Sequence, residues 1–404
     1  MPVRRTLLWV TLLYLAQGLP YGISSRVWPV YFRAHGVSLT EIGLLGLLAL
    51  PWSWKPLWAP LVDRFGTRRA WIVPCLVALA ALVAAFGTLP PVVGPLLIGV
   101  MLAFTVASAT QDIAMDAWVV DAADRRSLGP VNGVRAAAFR VAMIAAGGAA
   151  LFVADRFGWR AAWLLLAGCF LALAAASFAL PEPLRGDAGG APRTTRELAR
   201  SFFAWLLRPA MLPVVLFALL YKLGDQAMAR MIEPFWVDSG RSLSEIALVA
   251  NTVGLALTIA GALAGGAFIA RAGLFAGLLW LGVAQAVTNV GYAAVAALEL
   301  PPQALWFASA GENFAQGLGT AALLAFLTAA CRPENAATEY ALLSALFAFS
   351  REIAGALSGF GAERMGYAGF FAFTALLAVP GLAMLPWLRA SAAWRDASTP
   401  AAAT

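Results

Sequence analysis

Twelve apolar stretches, each 21 to 30 residues long, follow one another along the chain with short polar breaks between most of them. A hydrocarbon layer about 30 Å thick takes about 20 residues of α-helix, and in lipid every backbone polar group must be satisfied within its own segment. Repeated runs of this length predict an all-α polytopic membrane protein and exclude a soluble domain, in keeping with 61% hydrophobic and 12% charged residues. Breaks rich in Gly, Pro and Arg place the spans at 7–33, 39–62, 70–90, 93–122, 128–154 and 160–180, then at 209–238, 243–270, 274–297, 302–331, 337–363 and 367–390. Residues 185–208, the one long polar segment, read as a cytoplasmic linker between 1–184 and 209–404.

The apolar run after Arg4 and Arg5 imitates a signal peptide, but it has a counterpart 204 residues downstream, so no cleavage is expected. A net charge of +7 does not point to nucleic acid, because the basic residues sit in short loops instead of on one face. With both termini cytoplasmic, sixteen arginines fall in inner loops and tails. Five, Arg33, Arg156, Arg160, Arg241 and Arg364, fall in outer loops, and this bias sets the orientation of the chain in its membrane. Cys75, Cys169 and Cys331 lie far apart without a CxxC, and His35 is the single histidine, so free, buried thiols are expected and neither a metal site nor a cofactor is indicated. No Walker motif and no nucleophile–base pair suggests an enzyme.

Two internal echoes organise the chain. Gly36–Leu44 (GVSLTEIGL) and Gly240–Leu248 (GRSLSEIAL) match at six of nine positions, 204 residues apart, which predicts two parallel six-helix halves. Asp63–Trp71 (DRFGTRRAW) and Asp155–Trp163 (DRFGWRAAW) match at seven of nine but fall on opposite sides of the membrane. That pattern predicts inverted three-helix units nested in each half.

Ionisable residues inside such spans are costly, at least about 2.5–3.5 kcal/mol each near a bilayer centre, and therefore face a partner or a water-filled path. Those placed inside the spans and away from their ends concentrate in the first, second, fourth, fifth, seventh, tenth and eleventh, and the third, sixth, ninth and twelfth have none. Ser108–Asp121 (SATQDIAMDAWVVD) carries three acids; Asp112 and Asp116 share a face with Thr105 and Ser108, and Gln111 stands beside them. This face has two readings: proton coupling in transport, or structural pairing to Lys55, Arg135 or Arg140. The seventh span sets Lys222, Gln226, Arg230 and Glu233 on one face, with Tyr221 and Asp225 alongside. Arg26 maps onto Arg230 under the 204-residue offset, and these guanidiniums, with Gln17, Tyr21, Gln111, Tyr221, Lys222, Gln226, Asn313 and Gln316, are candidate binders of an anionic, amide-rich solute. The alternative is neutralisation of each arginine by a nearby acid, such as Glu233 for Arg230. Asp225 and Glu312 are further proton-coupling candidates, and Arg351 with Glu352 a gate or a structural ion pair. GLPYG at 18–22 predicts either a bend or close helix packing.

The loop 59–69, with Asp63, Arg64 and two further arginines, resembles the signature after the second helix of major facilitators, with Ala59 in a position usually held by glycine. GLPYG at 18–22, KPLWAPLVDR at 55–64, ATQDIAMDAW at 109–118, YKLGD at 221–225, ENFAQGLGTAA at 312–322 and ATEYALLSAL at 337–346 together resemble the AmpG family of muropeptide permeases. The resemblance implies a major facilitator fold of twelve helices and proton-driven import of anhydro-muropeptides into the cytoplasm, by a monomer. Import of a siderophore or another anionic solute such as acetyl-CoA, and a receptor that binds without transporting, remain as alternatives.

Overall fold

In lipid the backbone must close its own hydrogen bonds, and the described chain is built from helices accordingly. A computed structural model describes residues 3–122, 128–182, 211–298, 300–331 and 336–390. The predicted linker 185–208 lies outside these residues, as do parts of the breaks after the fourth and tenth spans. Nine stretches among the described residues are long and apolar enough to cross a membrane. The last, Leu346–Ala390, is broken at Gly366 (φ 66°) and so holds the two final predicted spans. Pro302–Ala329 is 28 residues long but more polar, and Leu39–Trp54 is shorter.

Four spans are less regular than the apolar pattern predicts. Span 39–62 divides into Leu39–Leu45, Leu50–Trp54 and Ala59–Arg64 with 3-10 turns between them, because Pro51, Pro56 and Pro60 each remove a helical N–H. The seventh is interrupted at Tyr221 and Lys222, between Leu212–Leu220 and Leu223–Asp238. The eighth opens in a π-helical segment, Ile246–Val253, and a second π turn, Ile23–Val27, follows Val3–Gly22. Pro20 sits within a continuous helix, so of the two readings of 18–22 the bend is not found there, a π turn following instead, whereas the close packing of Gly18 and Gly22 is found. Cys75, Cys169 and Cys331 are free and half-buried instead of buried.

The chain forms two units, one from Met1–Arg193 with Trp236–Thr252, the other from Thr194–Phe235 with Val253–Thr404. In the first, Val3–Gly22 packs on Leu128–Phe157. A Cβ on Gly18 would stand 2.7 Å from that of Ala142, and one on Gly22 2.8 Å from that of Ala146, so small residues four apart on both helices let the backbones meet. Arg68–Phe86 packs on Trp159–Ser177, and Trp28, Phe86, Trp159 and Trp163 build an aromatic cluster with Tyr31, including a Phe86–Trp163 centroid distance of 5.0 Å.

The second unit repeats the device. Gly261 and Gly265 of Gly254–Ala272 lie against Phe314, Gly317, Leu318 and Ala321 of Pro302–Ala329. Phe217, Tyr221, Leu278, Phe326 and Leu385 form its fully buried core.

The echoes in sequence reappear as local geometry. Gly36 and Gly240 take positive φ (80° and 69°), and Ser38 and Ser242, two residues on, each accept from the backbone of the glutamate three further along. Four other positive-φ glycines each follow an arginine by two residues: Gly66 after Arg64, Gly158 after Arg156, Gly273 after Arg271 and Gly366 after Arg364. The last two carry the repeat into the second half, where the sequence comparison had not found it.

Candidate functional site

In the first unit, Pro95–Ala122 presents its acids to two different neighbours. Asp112 is buried, and its Oδ2 accepts from Lys55 Nζ at 2.6 Å. Lys55 reaches it from the 3-10 turn Lys55–Leu57, which the prolines create. Trp52 donates to Ser108 (3.1 Å) and Trp58 to Thr110 (3.2 Å), fastening the same broken span to the same helix. The second oxygen, Oδ1, has no hydrogen-bond partner among the described residues, and neither has Oε1 of Gln17 or Gln111. Gln111 Nε2 donates to the Ala16 carbonyl at 3.1 Å, joining this helix to Val3–Gly22.

Asp116, one turn on, is more exposed. It accepts from the Tyr14 hydroxyl and from Arg135 Nη2 at 2.9 Å, while the Arg135 guanidinium covers the Tyr14 ring 4.7 Å from its centroid. The side chain of Asp116 is 42% exposed against 6% for Asp112, so the two acids of one helix face differ in exposure, whereas their cations, Arg135 and Lys55, do not differ much. Tyr14 was missed in the sequence, although Tyr14, Gln17 and Tyr21 keep helical spacing. The Tyr21 ring packs on Trp52 and Phe139. Arg26 sits on the first π turn, and its Cβ and the Asn251 side chain both come close to Gly147, where an added Cβ would be 3.2 and 3.3 Å from them. Asn251, buried and without a hydrogen-bond partner among the described residues, went unnoticed inside an apolar run.

Arg68 pairs with Asp121 at 3.1 Å, and Arg69 donates to the Phe178 carbonyl at 3.0 Å, docking the signature loop on a helix C-terminus. Arg64 is exposed beside the Phe65 ring, and the side chain of Asp63 lies outside the described residues.

The second unit holds three polar clusters. Buried Lys222 donates to Thr320 Oγ1 (2.8 Å) and the Gln316 carbonyl (3.2 Å) and lies 4.0 Å from Asp225, whose Oδ1 accepts from Asn289 at 3.3 Å. Leu274–Ala297, the charge-free ninth span, thus still supplies a buried amide. Glu352 joins Arg230 (3.2 Å) and Arg351 (3.1 Å), so an acid from a distant helix meets the arginine for which Glu233 had been considered. Asn313 donates to the Ser309 carbonyl and accepts from Thr258. Tyr221 is a core residue donating to the Leu278 carbonyl, Gln226 is half-buried, and Glu233 and Glu312 are buried. Glu352→Ala should leave two half-buried guanidiniums without their shared acid and cost about 1–3 kcal/mol. Thermal unfolding of the purified protein in detergent checks this; an unchanged midpoint refutes it.

The family model of the Major Facilitator Superfamily matches residues 10–311. The anhydromuropeptide permease of Escherichia coli (strain K12) is 33% identical over 394 residues, covering 93% of this chain and 78% of that protein. The chain belongs to the AmpG-like family of the Major Facilitator Superfamily. Putative transporter AmpG 4 of Rickettsia felis is 28% identical over 94% of this chain and 95% of its own length. A bacterial homolog of the human lysosomal transporter Spinster superposes with a TM-score of 0.78 at 18% identity, over 99% of this chain and 100% of that one. The nucleoside transporter NupG gives 0.70 at 13%, over 96% and 99%. At those identities the two structures speak for the fold alone. The AmpG-like chain is a multi-pass membrane transporter with the major facilitator fold, not an enzyme.

Proposed function

We propose that this AmpG-like transporter imports anhydro-muropeptides from periplasm to cytoplasm with protons. The observation that carries the reading is the 33% identity to the E. coli anhydromuropeptide permease, sustained over 93% of the chain. Proton symport has separate structural support. Alternating access needs a group that is charged in one state and neutral in another, and the one-sided Lys55–Asp112 pair suits this, since Asp112 Oδ1 stands open to receive a proton. Protonation would free Lys55, converting a proton-binding event into a broken tie between the broken second span and the Pro95–Ala122 helix. Asp225, with Lys222 and Asn289, is the corresponding candidate in the second unit.

In this reading the chain works as a monomer in a bacterial inner membrane with both termini cytoplasmic, divided at the linker 185–208. In the first unit Arg26 is the candidate cation for an anionic solute, with Gln17 and Tyr21 as amide and hydroxyl contacts; in the second, Gln226, Asn313 and Gln316 are the candidate amides, and Arg230 serves only where the solute displaces Glu352. Uptake of labelled anhydro-muropeptide into proteoliposomes under an imposed inward proton gradient tests it. Saturable accumulation, competed by unlabelled anhydro-muropeptide, is expected. Accumulation competed better by a siderophore or acetyl-CoA would reassign the solute, and binding without accumulation would make the protein a receptor.

A further inference from the structure

The two acids of Pro95–Ala122 stand one turn apart and yet differ in exposure, and the more exposed of the two is held by two different side chains. An acid in such a span needs a partner, and a single ion pair would supply it. Arg135 nevertheless carries two attachments from two helices: the ion pair to Asp116 and the stacking over Tyr14. The ion pair uses Nη2 alone, whereas a guanidinium offers five donors in a fork that grips a carboxylate through two. The grip on Asp116 is therefore incomplete, and the fork is partly exposed.

We propose that the Tyr14–Asp116–Arg135 cluster is a docking point for an anionic group of the transported solute, with Asp116 holding the place of that anion while the site is empty. The proposal rests on the preceding reading that the solute is an anionic muropeptide. Chemically the exchange is economical. An incoming carboxylate takes the guanidinium fork, Asp116 retains the Tyr14 hydroxyl as its donor, and neither carboxylate is left bare during the swap. The stacking on Tyr14 keeps the guanidinium plane in position throughout, so little side-chain freedom is lost when the solute arrives. Arg135 would then be a specificity residue and Asp116 its internal competitor, a division of labour distinct from the Lys55–Asp112 pair.

Equilibrium binding to the purified full-length transporter in lipid nanodiscs tests this with two probes: an anhydro-muropeptide with free carboxylates, and the same compound with its carboxylates converted to amides. Arg135→Gln should weaken binding of the acid by about tenfold or more, the loss of one charge-assisted contact, and leave the amide unchanged. Asp116→Asn, which removes the competitor but keeps a hydrogen-bond acceptor, should tighten binding of the acid roughly two- to fivefold, again without effect on the amide. Equal losses for both probes in Arg135→Gln, or no tightening in Asp116→Asn, overturn the docking role and leave a structural ion pair. Should Arg135→Gln not fold, the sign of the Asp116→Asn effect decides alone. If the unsubstituted protein binds neither probe, the muropeptide reading falls and the docking proposal with it.

Discussion

Asp112→Asn is expected to abolish gradient-driven accumulation of solute in proteoliposomes while leaving counterflow exchange of preloaded solute intact. Asparagine has nearly the same shape as aspartate and still offers Lys55 an acceptor, but it carries no charge and cannot take up a proton near neutral pH. Exchange needs only that the loaded carrier change conformation, whereas accumulation needs net proton movement. The amide therefore separates the two assays, which a general folding defect would not do. The substitution leaves Lys55 without its counter-charge in a costly environment. A paired Lys55→Gln/Asp112→Asn variant restores neutrality and should behave like the single one if charge coupling is the cause. Continued concentration of solute by Asp112→Asn under an imposed pH gradient would move the coupling role to Asp225 or Glu312.

Gly317→Ala should be among the most damaging single-methyl changes in the protein. A Cβ there would collide with the Thr258 carbonyl, lie 2.7 Å from the Ala262 backbone nitrogen and 3.0 Å from the Gly261 carbonyl carbon. All three neighbours are backbone atoms of one helix and cannot rotate aside, so the pair of helices must separate along its length. Overpacking of this kind costs about 1–3 kcal/mol and, against rigid backbone, falls at or above the upper end. The same helix supplies the control. A Cβ on Gly311 would meet nothing nearer than Thr288 Cγ2 at 3.9 Å, and alanine there should be neutral or stabilising by about 0.5–1 kcal/mol, because glycine is the poorer helix former. Thermal unfolding of both variants in one detergent checks the contrast. Similar midpoints for the two would show that the close helix approach does not limit stability.

Much of the architecture was legible in the chain because membrane constraints act on short windows. Hydrocarbon thickness dictates span length, so apolar runs marked the helices, and GVSLTEIGL and GRSLSEIAL were legible as a repeat, although the glycine turn and serine cap that both segments form were seen only in the structure. The same locality explains what went unseen. The arginine-x-glycine turn at 271–273 and 364–366 keeps its geometry after the surrounding letters have changed, and only the φ angles revealed it. Irregular helices were hidden as well: composition reports that residues 39–62 suit lipid, not that three prolines divide them and bring Lys55 to Asp112 from a 3-10 turn.

The sequence by itself determined that the chain is a polytopic helical membrane protein with repeated halves, and which few ionisable side chains would need partners inside it. Tertiary structure decided who those partners are. Lys55 goes to Asp112, Arg135 to Asp116 with Tyr14, and Glu352 to Arg230, across separations of 57, 19 and 122 residues. The physical reason is that periodicity along one helix tells which residues share a face, while pairing depends on the depth and rotation of a second helix. Depth and rotation are set by where glycines and alanines let backbones touch, as Gly18 and Gly22 do against Ala142 and Ala146. One helical turn on such a scaffold was enough to bury one aspartate and leave the next one partly exposed.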